Sequence, residues 1–288
     1  MKQKQKKTIK NHTLFGYVYN SVADFVNDLK NKPVNPIFTD RQESLSEESW
    51  YKDFAATDNF SVAQDLLKYG DTANMQKMSA AGLNVGSVKS TGPAPRTQRY
   101  NSVVGFCPNV PRYLQGAPAN MINIRRKVFK TSSKVVNVFF ILSVPGYTPA
   151  NDIVETNVAF VNALLALENK GYRVNLYAGK ASFQSGQMFL CAVKIKDSAT
   201  FFDKKKIAYP LINPSFLRRH MFRALEVSEV TSSRWAYGYG YAATGSDKEE
   251  VKDALKQTGV NCDTVVCLSD ILGLSSQNIL DRCFSSHK

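Results

Sequence analysis

Hydrophobic positions follow a clear pattern in the second half of the chain. The run 134–143 (KVVNVFFILS) is β-branched and aromatic, which predicts a strand buried on both faces. Residues 151–170 carry apolar side chains at helical spacing, and Gly171 ends that segment. A second strand is predicted over 172–177, and a third strand that returns as a hairpin is predicted over 187–196. These segments together predict a βαβ unit followed by an antiparallel strand.

The rest of this half completes an α/β domain over 131–288. Helices are predicted over 214–227, 247–257 and 275–284, and a fourth buried strand over 264–268. This order of elements predicts a doubly wound, mostly parallel sheet with helices against it.

The first half of the chain is less regular. A basic arm occupies residues 1–12, and an irregular basic N-terminal region follows over 13–130. Within that region the pattern predicts a short strand over 14–19 and helices over 22–29 and 61–70. We therefore divide the chain into an arm, an irregular region and an α/β domain.

Composition narrows the class of protein. Of the 288 residues, 43% are hydrophobic and 21% charged, which is typical of a globular chain. No stretch approaches the ~18 apolar residues of a membrane helix, and no hydrophobic signal core follows the charged N-terminus, so we expect neither membrane insertion nor secretion. The five cysteines form no CxxC pair, which predicts reduced thiols.

Charge is unevenly distributed along the chain. The net charge is +13, and the eighty residues from Thr72 to Asn151 hold ten bases and not one Asp or Glu. One interpretation is a loop-rich packing segment that happens to lack acids. The other, which we favour, is an electropositive surface for a phosphate backbone.

Aromatic side chains alternate with these bases, and stacking on nucleobases requires such rings. Three further bases, two of them adjacent, lie on the predicted helix 214–227. The candidate nucleic-acid-binding residues are Arg96, Arg99, Tyr100, Arg112, Tyr113, Arg125, Arg126, Lys127, Lys130, Arg218 and Arg219.

Ligands of open α/β sheets bind beyond the carboxyl ends of the strands, here at 143–147, 177–180 and 268–270. The order of elements resembles the von Willebrand factor A-like fold. The resemblance implies a metal site built from Asp-x-Ser-x-Ser after the first strand, but the residues 142–146 are Leu-Ser-Val-Pro-Gly. Without that aspartate, Ser143 and Asp270 are the only candidates, and we expect no intact metal site.

Four short stretches, 108–116, 118–121, 167–174 and 213–219, resemble an uncharacterised bacteriophage protein family with the same degenerate fold. The resemblance implies a phage or prophage origin. It also implies a location in the cytoplasm of the infected host, with the virion as the alternative. It brings no assigned activity and no catalytic residues.

Motifs for catalysis are weak. The segment Gly238-Tyr239-Gly240 lacks the Lys-Ser/Thr of a phosphate-binding P-loop, which favours a tight aromatic turn. No GxSxG nucleophile elbow occurs, and the acid-free segment lacks the carboxylates that a metal-dependent nuclease needs. The sequence therefore predicts a non-enzyme without a cofactor.

Three functions remain open. The leading hypothesis is a non-catalytic nucleic-acid-binding accessory protein that acts in replication, recombination or transcription. The second is a structural or assembly protein of the virion, and the third is a regulator that binds a host protein. Steep salt dependence would separate nucleic-acid binding from the third hypothesis.

Overall fold

The structure is a computed structural model that describes residues 7–9, 11–82, 96–127, 134–200 and 202–285. The described residues form ten strands: β1 (Lys7–Ile9), β2 (His12–Tyr19), β3 (Arg96–Ser102), β4 (Cys107–Pro108), β5 (Met121–Lys127), β6 (Val135–Ile141), β7 (Arg173–Gln184), β8 (Gln187–Lys196), β9 (Tyr241–Ala242) and β10 (Thr264–Cys267).

The same residues form eleven α-helices: α1 (Val22–Asn31), α2 (Ser49–Ala55), α3 (Phe60–Tyr69), α4 (Thr72–Gly82), α5 (Val110–Leu114), α6 (Ala150–Asn169), α7 (Lys204–Ile212), α8 (Phe222–Glu226), α9 (Lys248–Gln257), α10 (Leu268–Ile271) and α11 (Ser276–Cys283). A π-helical turn, Phe216–Met221, leads directly into α8. Within the described ranges, no helix is both long enough and apolar enough to cross a membrane.

Seven strands form the central sheet in the order β1–β2–β8–β7–β6–β10, with β9 beside β7. The β6–β7 pair is parallel, as the predicted βαβ unit requires, and the β6–β10 pair is parallel as well. Strands β7 and β8 form an antiparallel hairpin. Its turn is Ser185–Gly186, with φ of 50° and 69°, and two positive φ angles match the twist of a two-residue hairpin.

The prediction of a doubly wound, mostly parallel sheet is wrong. Three of the six strand pairings in the central sheet are antiparallel, namely β1–β2, β7–β8 and β7–β9. The sheet is mixed and forms a half-barrel, and a small antiparallel sheet accompanies it. The mostly parallel sheet that the von Willebrand factor A-like resemblance implied is overturned by the same pairings.

The N-terminal strand β2 lies inside the central sheet, parallel to β8. The pairing runs from Thr13 opposite Gln187 to Tyr19 opposite Val193. Side chains from the first 82 residues, among them Phe25 and Phe38, join the same hydrophobic core as Phe140 of β6. Residues 12–82 and 135–284 therefore share one core.

Alternating side chains of the sheet divide between two hydrophobic cores, as the period of two along a strand requires. Phe140 and Phe189 point to the larger core, which helices α1, α4, α6 and α7 help to build. Phe139 and Leu190 point to the smaller core, which is covered by α9.

Strands β3, β5 and β4 form the second sheet, and α5 connects β4 to β5. None of the described residues in 96–127 belongs to either core. Gly105 allows the chain before β4 to approach β5 closely, because a Cβ atom there would lie 2.3 Å from the carbonyl oxygen of Ile122. We refer to residues 96–127 as the small sheet.

Candidate functional site

The small sheet gathers most of the predicted nucleic-acid-binding residues. Strands β3 and β5 are antiparallel from Arg96 opposite Lys127 to Ser102 opposite Met121. This register places Arg125 opposite Gln98, and Arg126 opposite Thr97. Bases from two strands that are distant in sequence are therefore neighbours along the sheet.

The described side chains of this group are open to solvent. Arg99 and Tyr100 lie on β3, Arg112 and Tyr113 lie on α5, and all four are exposed. For Arg96, Arg125, Arg126 and Lys127 the backbone position is described. Lys130 lies outside the described residues.

Apolar side chains are unusually exposed on the same small sheet. Eight of the sixteen large hydrophobic residues exposed in the described chain lie within 96–127. They include Val104 at 74%, Phe106 at 64% and Leu114 at 78% exposure. A concentration of exposed apolar and aromatic side chains on one element is a common feature of binding surfaces.

Arg218 and Arg219 do not belong to that surface. They are 2% and 0% exposed, and their guanidinium groups donate to backbone carbonyls. Arg218 binds the carbonyls of Phe54 and Thr148, and Arg219 binds those of Ser44, Ser46 and Thr57. Both arginines therefore hold the connector 43–57 against the π-helical turn, and burial removes them from contact with a phosphate backbone.

A second candidate site is a cleft of about 670 Å³ beyond the ends of β6 and β10. Its walls come from Ser143–Gly146 after β6, from β7, from the turn 237–242, and from Ser269 after β10. Small-molecule sites usually have volumes of about 300–1,000 Å³. The cleft is therefore large enough for a small organic ligand.

Lys180 of β7 is a buried cation of this cleft. It is 4% exposed, and its Nζ atom donates to the carbonyl of Tyr239 at 2.9 Å. The same atom lies 4.5 Å from the ring centre of Phe222 and 5.5 Å from that of Tyr239. Burial lowers the pKa of Lys180 to about 7, and the negative charges of Glu226 and Glu43 limit the shift.

A glycine-rich turn holds the carbonyl that Lys180 binds. Gly238, Tyr239 and Gly240 have φ of 87°, 61° and 82°. A Cβ atom on Gly240 would lie 2.3 Å from the ring of Trp235. The prediction of a tight aromatic turn at this motif is confirmed.

Comparison with known proteins places the chain in a family. The model of a family described as domain of unknown function DUF7192 matches residues 4–268. The chain belongs to this family. No curated protein and no solved structure matches it.

In this DUF7192 chain, the buried Glu226 binds the hydroxyl of Tyr239, which lines the cleft. Its buried carboxylate accepts hydrogen bonds from the Ser44 backbone N–H at 3.0 Å, the Ser44 hydroxyl at 2.5 Å and the Tyr239 hydroxyl at 2.7 Å. Burial raises the pKa of Glu226, and these hydrogen bonds oppose the rise. Arg223 lies 3.3 Å away and balances the charge.

The two residues considered for a metal site have other partners. The Ser143 hydroxyl donates to the carbonyl of Ala181 at 3.2 Å. Asp270 accepts from the Gly245 N–H at 3.1 Å and pairs with Lys248 at 2.8 Å. Across the described ranges, no three His, Cys, Asp or Glu side chains are placed to hold a metal ion.

The sequence places residues 177–180 among the strand ends where a ligand could bind, but it does not identify Lys180 as a binding residue. The predicted strand ends at residue 177, whereas β7 continues to Gln184. Gly179 suggested a turn, but it is required inside the sheet, because a Cβ there would lie 1.8 Å from the Cys191 carbonyl oxygen. The alternation of Lys180, Ser182 and Gln184 along one strand face was the available signal.

Proposed function

We propose that this protein is a non-catalytic nucleic-acid-binding protein and that it binds through the small sheet. The observation that carries the proposal is the combination of charge and exposure in residues 96–127. The segment holds six bases and no acid, and Arg99, Tyr100, Arg112 and Tyr113 are exposed there. Backbone phosphates attract the guanidinium groups, and the rings offer stacking surfaces for bases.

The position of the small sheet supports the same proposal. None of its described residues contributes to the two cores, so its side chains are not needed to hold the central sheet together. Strand pairing nevertheless fixes Arg99 opposite Ile124, and Tyr100 opposite Asn123. The surface is therefore ordered locally while its side chains stay available to a partner.

Binding of a protein partner is the second candidate function. Val103, Val104, Phe106 and Leu114 give the small sheet a strongly apolar part, which suits a protein interface. The basic residues would then select an acidic partner. If the chain fails to bind nucleic acid at low salt, binding of an acidic protein becomes the favoured function.

The test measures fluorescence anisotropy with labelled single-stranded DNA, double-stranded DNA and RNA. The variant Arg99→Ala/Arg112→Ala removes two exposed bases of the small sheet. Lys30→Ala/Lys256→Ala removes two exposed bases of α1 and α9 and is the matched control for net charge. We expect the first variant to bind more weakly than the control, whereas equal affinities of the two variants would contradict the proposal.

A further inference from the structure

The cleft beyond β6 and β10 carries more positive charge than the surrounding acids neutralise. Glu43 pairs with Arg41 at 2.9 Å, and Glu226 pairs with Arg223 at 3.3 Å. Asp270 pairs with Lys248 at 2.8 Å. Each of these three carboxylates therefore already has a cation of its own.

Lys180 and Arg218 line the same cleft without such a partner. Among the described residues, neither has a carboxylate within the 4.0 Å that defines a salt bridge, and both are almost fully buried. Their donors reach carbonyls, namely Tyr239 for Lys180 and Phe54 and Thr148 for Arg218. A buried cation without a counter-ion is unfavourable, and an anionic ligand would compensate it.

Hydroxyl groups beside Lys180 also lack partners. Ser182 follows Lys180 by two residues on β7, so both side chains lie on the same face of the strand. Ser182 is 0% exposed, and within the described chain its hydroxyl has no hydrogen-bond partner. The hydroxyl of Ser269 is buried and unpartnered in the same way, and both residues line the cleft.

Aromatic side chains form the outer part of the cleft. Tyr237 and Tyr241 line it and remain exposed, which places them at its mouth. The rings of Phe222 and Tyr239 stack on each other deeper inside, with centres 4.3 Å apart. Flat apolar rings and a buried cation together suit a ligand that has a ring and an anionic group.

We infer that this cleft binds a small ring-containing organic anion, whose phosphate or carboxylate group contacts Lys180, Ser182 and Ser269. The rings at the mouth pack against the ring of the ligand. Arg218 contributes its charge from the wall while its donors stay bound to carbonyls. This site uses none of the residues of the small sheet.

Isothermal titration calorimetry on the full chain tests the inference in a buffer without phosphate or carboxylate. The probes are AMP and benzoate, with adenosine and benzamide as their uncharged counterparts and inorganic phosphate as the anion alone. We expect AMP or benzoate to bind more tightly than its counterpart and than inorganic phosphate. The preferred anion identifies the group as phosphate or carboxylate. Absence of binding by both anions at millimolar concentration, or equal binding by the counterparts, would overturn the inference.

Variants assign the binding to the cleft. Lys180→Met removes the charge and should weaken binding about ten- to a hundredfold, as expected for a hydrogen bond to a charged group. Ser182→Ala is a mild second variant and should weaken binding about two- to tenfold. Lys196→Met is the control, because Lys196 is equally buried but pairs with Glu168 at 2.7 Å.

Circular dichroism confirms that each variant is folded before titration. Unchanged affinity in folded Lys180→Met or Ser182→Ala would contradict the inference. The small-sheet variant Arg99→Ala/Arg112→Ala should bind AMP or benzoate as the wild type does. Failure of the inference and failure of the proposed nucleic-acid binding are therefore distinguishable.

Discussion

The Nζ atom of Lys180 lies 2.9 Å from the carbonyl oxygen of Tyr239, and the Tyr239 hydroxyl lies 2.7 Å from the Glu226 carboxylate. Tyr239 thus connects a buried cation to a buried acid through the two ends of one residue. Strand β7, the turn 238–240 and helix α8 are joined by this contact. Substitution of Lys180 should therefore change both the free energy of unfolding and its dependence on pH.

The pH dependence of stability tests the burial of Lys180. Its pKa is about 7 in the folded protein, below the ordinary value of 10.5, because burial disfavours the charged form. Between these pH values the unfolded chain holds a proton that the folded chain lacks. Over this range, the contribution of Lys180 to the free energy of unfolding therefore rises by about 1.4 kcal/mol per pH unit. The contribution is fully present above pH 10.5 and is lost as the pH falls to and through 7.

Urea unfolding of the wild type and Lys180→Met at pH 7, 8 and 9 measures this contribution. Other groups that titrate in this range are common to both proteins. We expect the stability of the wild type to increase relative to that of the variant. Parallel pH profiles would show that Lys180 keeps an ordinary pKa.

Glu226 should be important for stability, since four donors converge on its buried carboxylate. Glu226→Ala removes the acceptor that these four donors share and should lower the free energy of unfolding by about 3–5 kcal/mol. Glu226→Gln keeps the shape and one acceptor oxygen, so a smaller loss of about 1–3 kcal/mol is expected. Urea denaturation gives both values, and a Glu226→Gln variant as stable as the wild type would argue against a role for the charge.

The two glycines beside Tyr239 should respond differently to alanine. Gly238 has φ of 87° with no atom within 4 Å of a new Cβ, so Gly238→Ala should cost only the backbone strain of about 1–2 kcal/mol. Gly240 has φ of 82°, and its Cβ would also collide with buried Trp235. Gly240→Ala should therefore cost about 1–3 kcal/mol more than Gly238→Ala. Chemical denaturation of the two variants measures both losses in the free energy of unfolding. Equal losses would contradict the close packing of Gly240 on Trp235.

Local elements were predictable where one side-chain pattern dominates. The apolar run around Phe140 predicted β6, and the helical spacing from Ile153 to Leu167 predicted α6, because both are buried along their length. The place of β2 beside β8 was not predictable, since it depends on contacts between residues about 175 positions apart. The antiparallel β7–β8 hairpin and the antiparallel pairings β1–β2 and β7–β9 make the sheet mixed.

The candidate sites show the same limit. The exposed Arg99 and Arg112 could be identified from charge alone, but an identical signal came from Arg218 and Arg219, which are buried. Sequence does not show that carbonyls of the connector 43–57 occupy their donors. The small sheet itself was missed, because its two longer strands, RTQRYNS and MINIRRK, are mostly polar or charged, and the segment between them is rich in Asn, Pro and Gly.

Stacking on the small sheet can be separated from its charge. Tyr100→Ala and Tyr113→Ala remove exposed rings, and each should weaken single-strand binding by about 1–3 kcal/mol if the ring stacks on a base. The salt dependence should change little, because no cation is lost. Tyr147→Ala, which removes an exposed ring outside the small sheet, is the control. Equal affinities for wild type and the two small-sheet variants would exclude stacking at these positions.

The salt dependence of nucleic-acid binding tests the central claim most directly. Arg125→Ala/Arg126→Ala/Lys127→Ala removes three neighbouring bases of β5. If each contacts a phosphate, the slope of log affinity against log salt should become flatter by about 2.1 for single strands and about 2.7 for double strands. The melting temperature should stay nearly unchanged, because β5 contributes no residue to the described cores. A slope identical to that of the wild type would contradict binding through the small sheet.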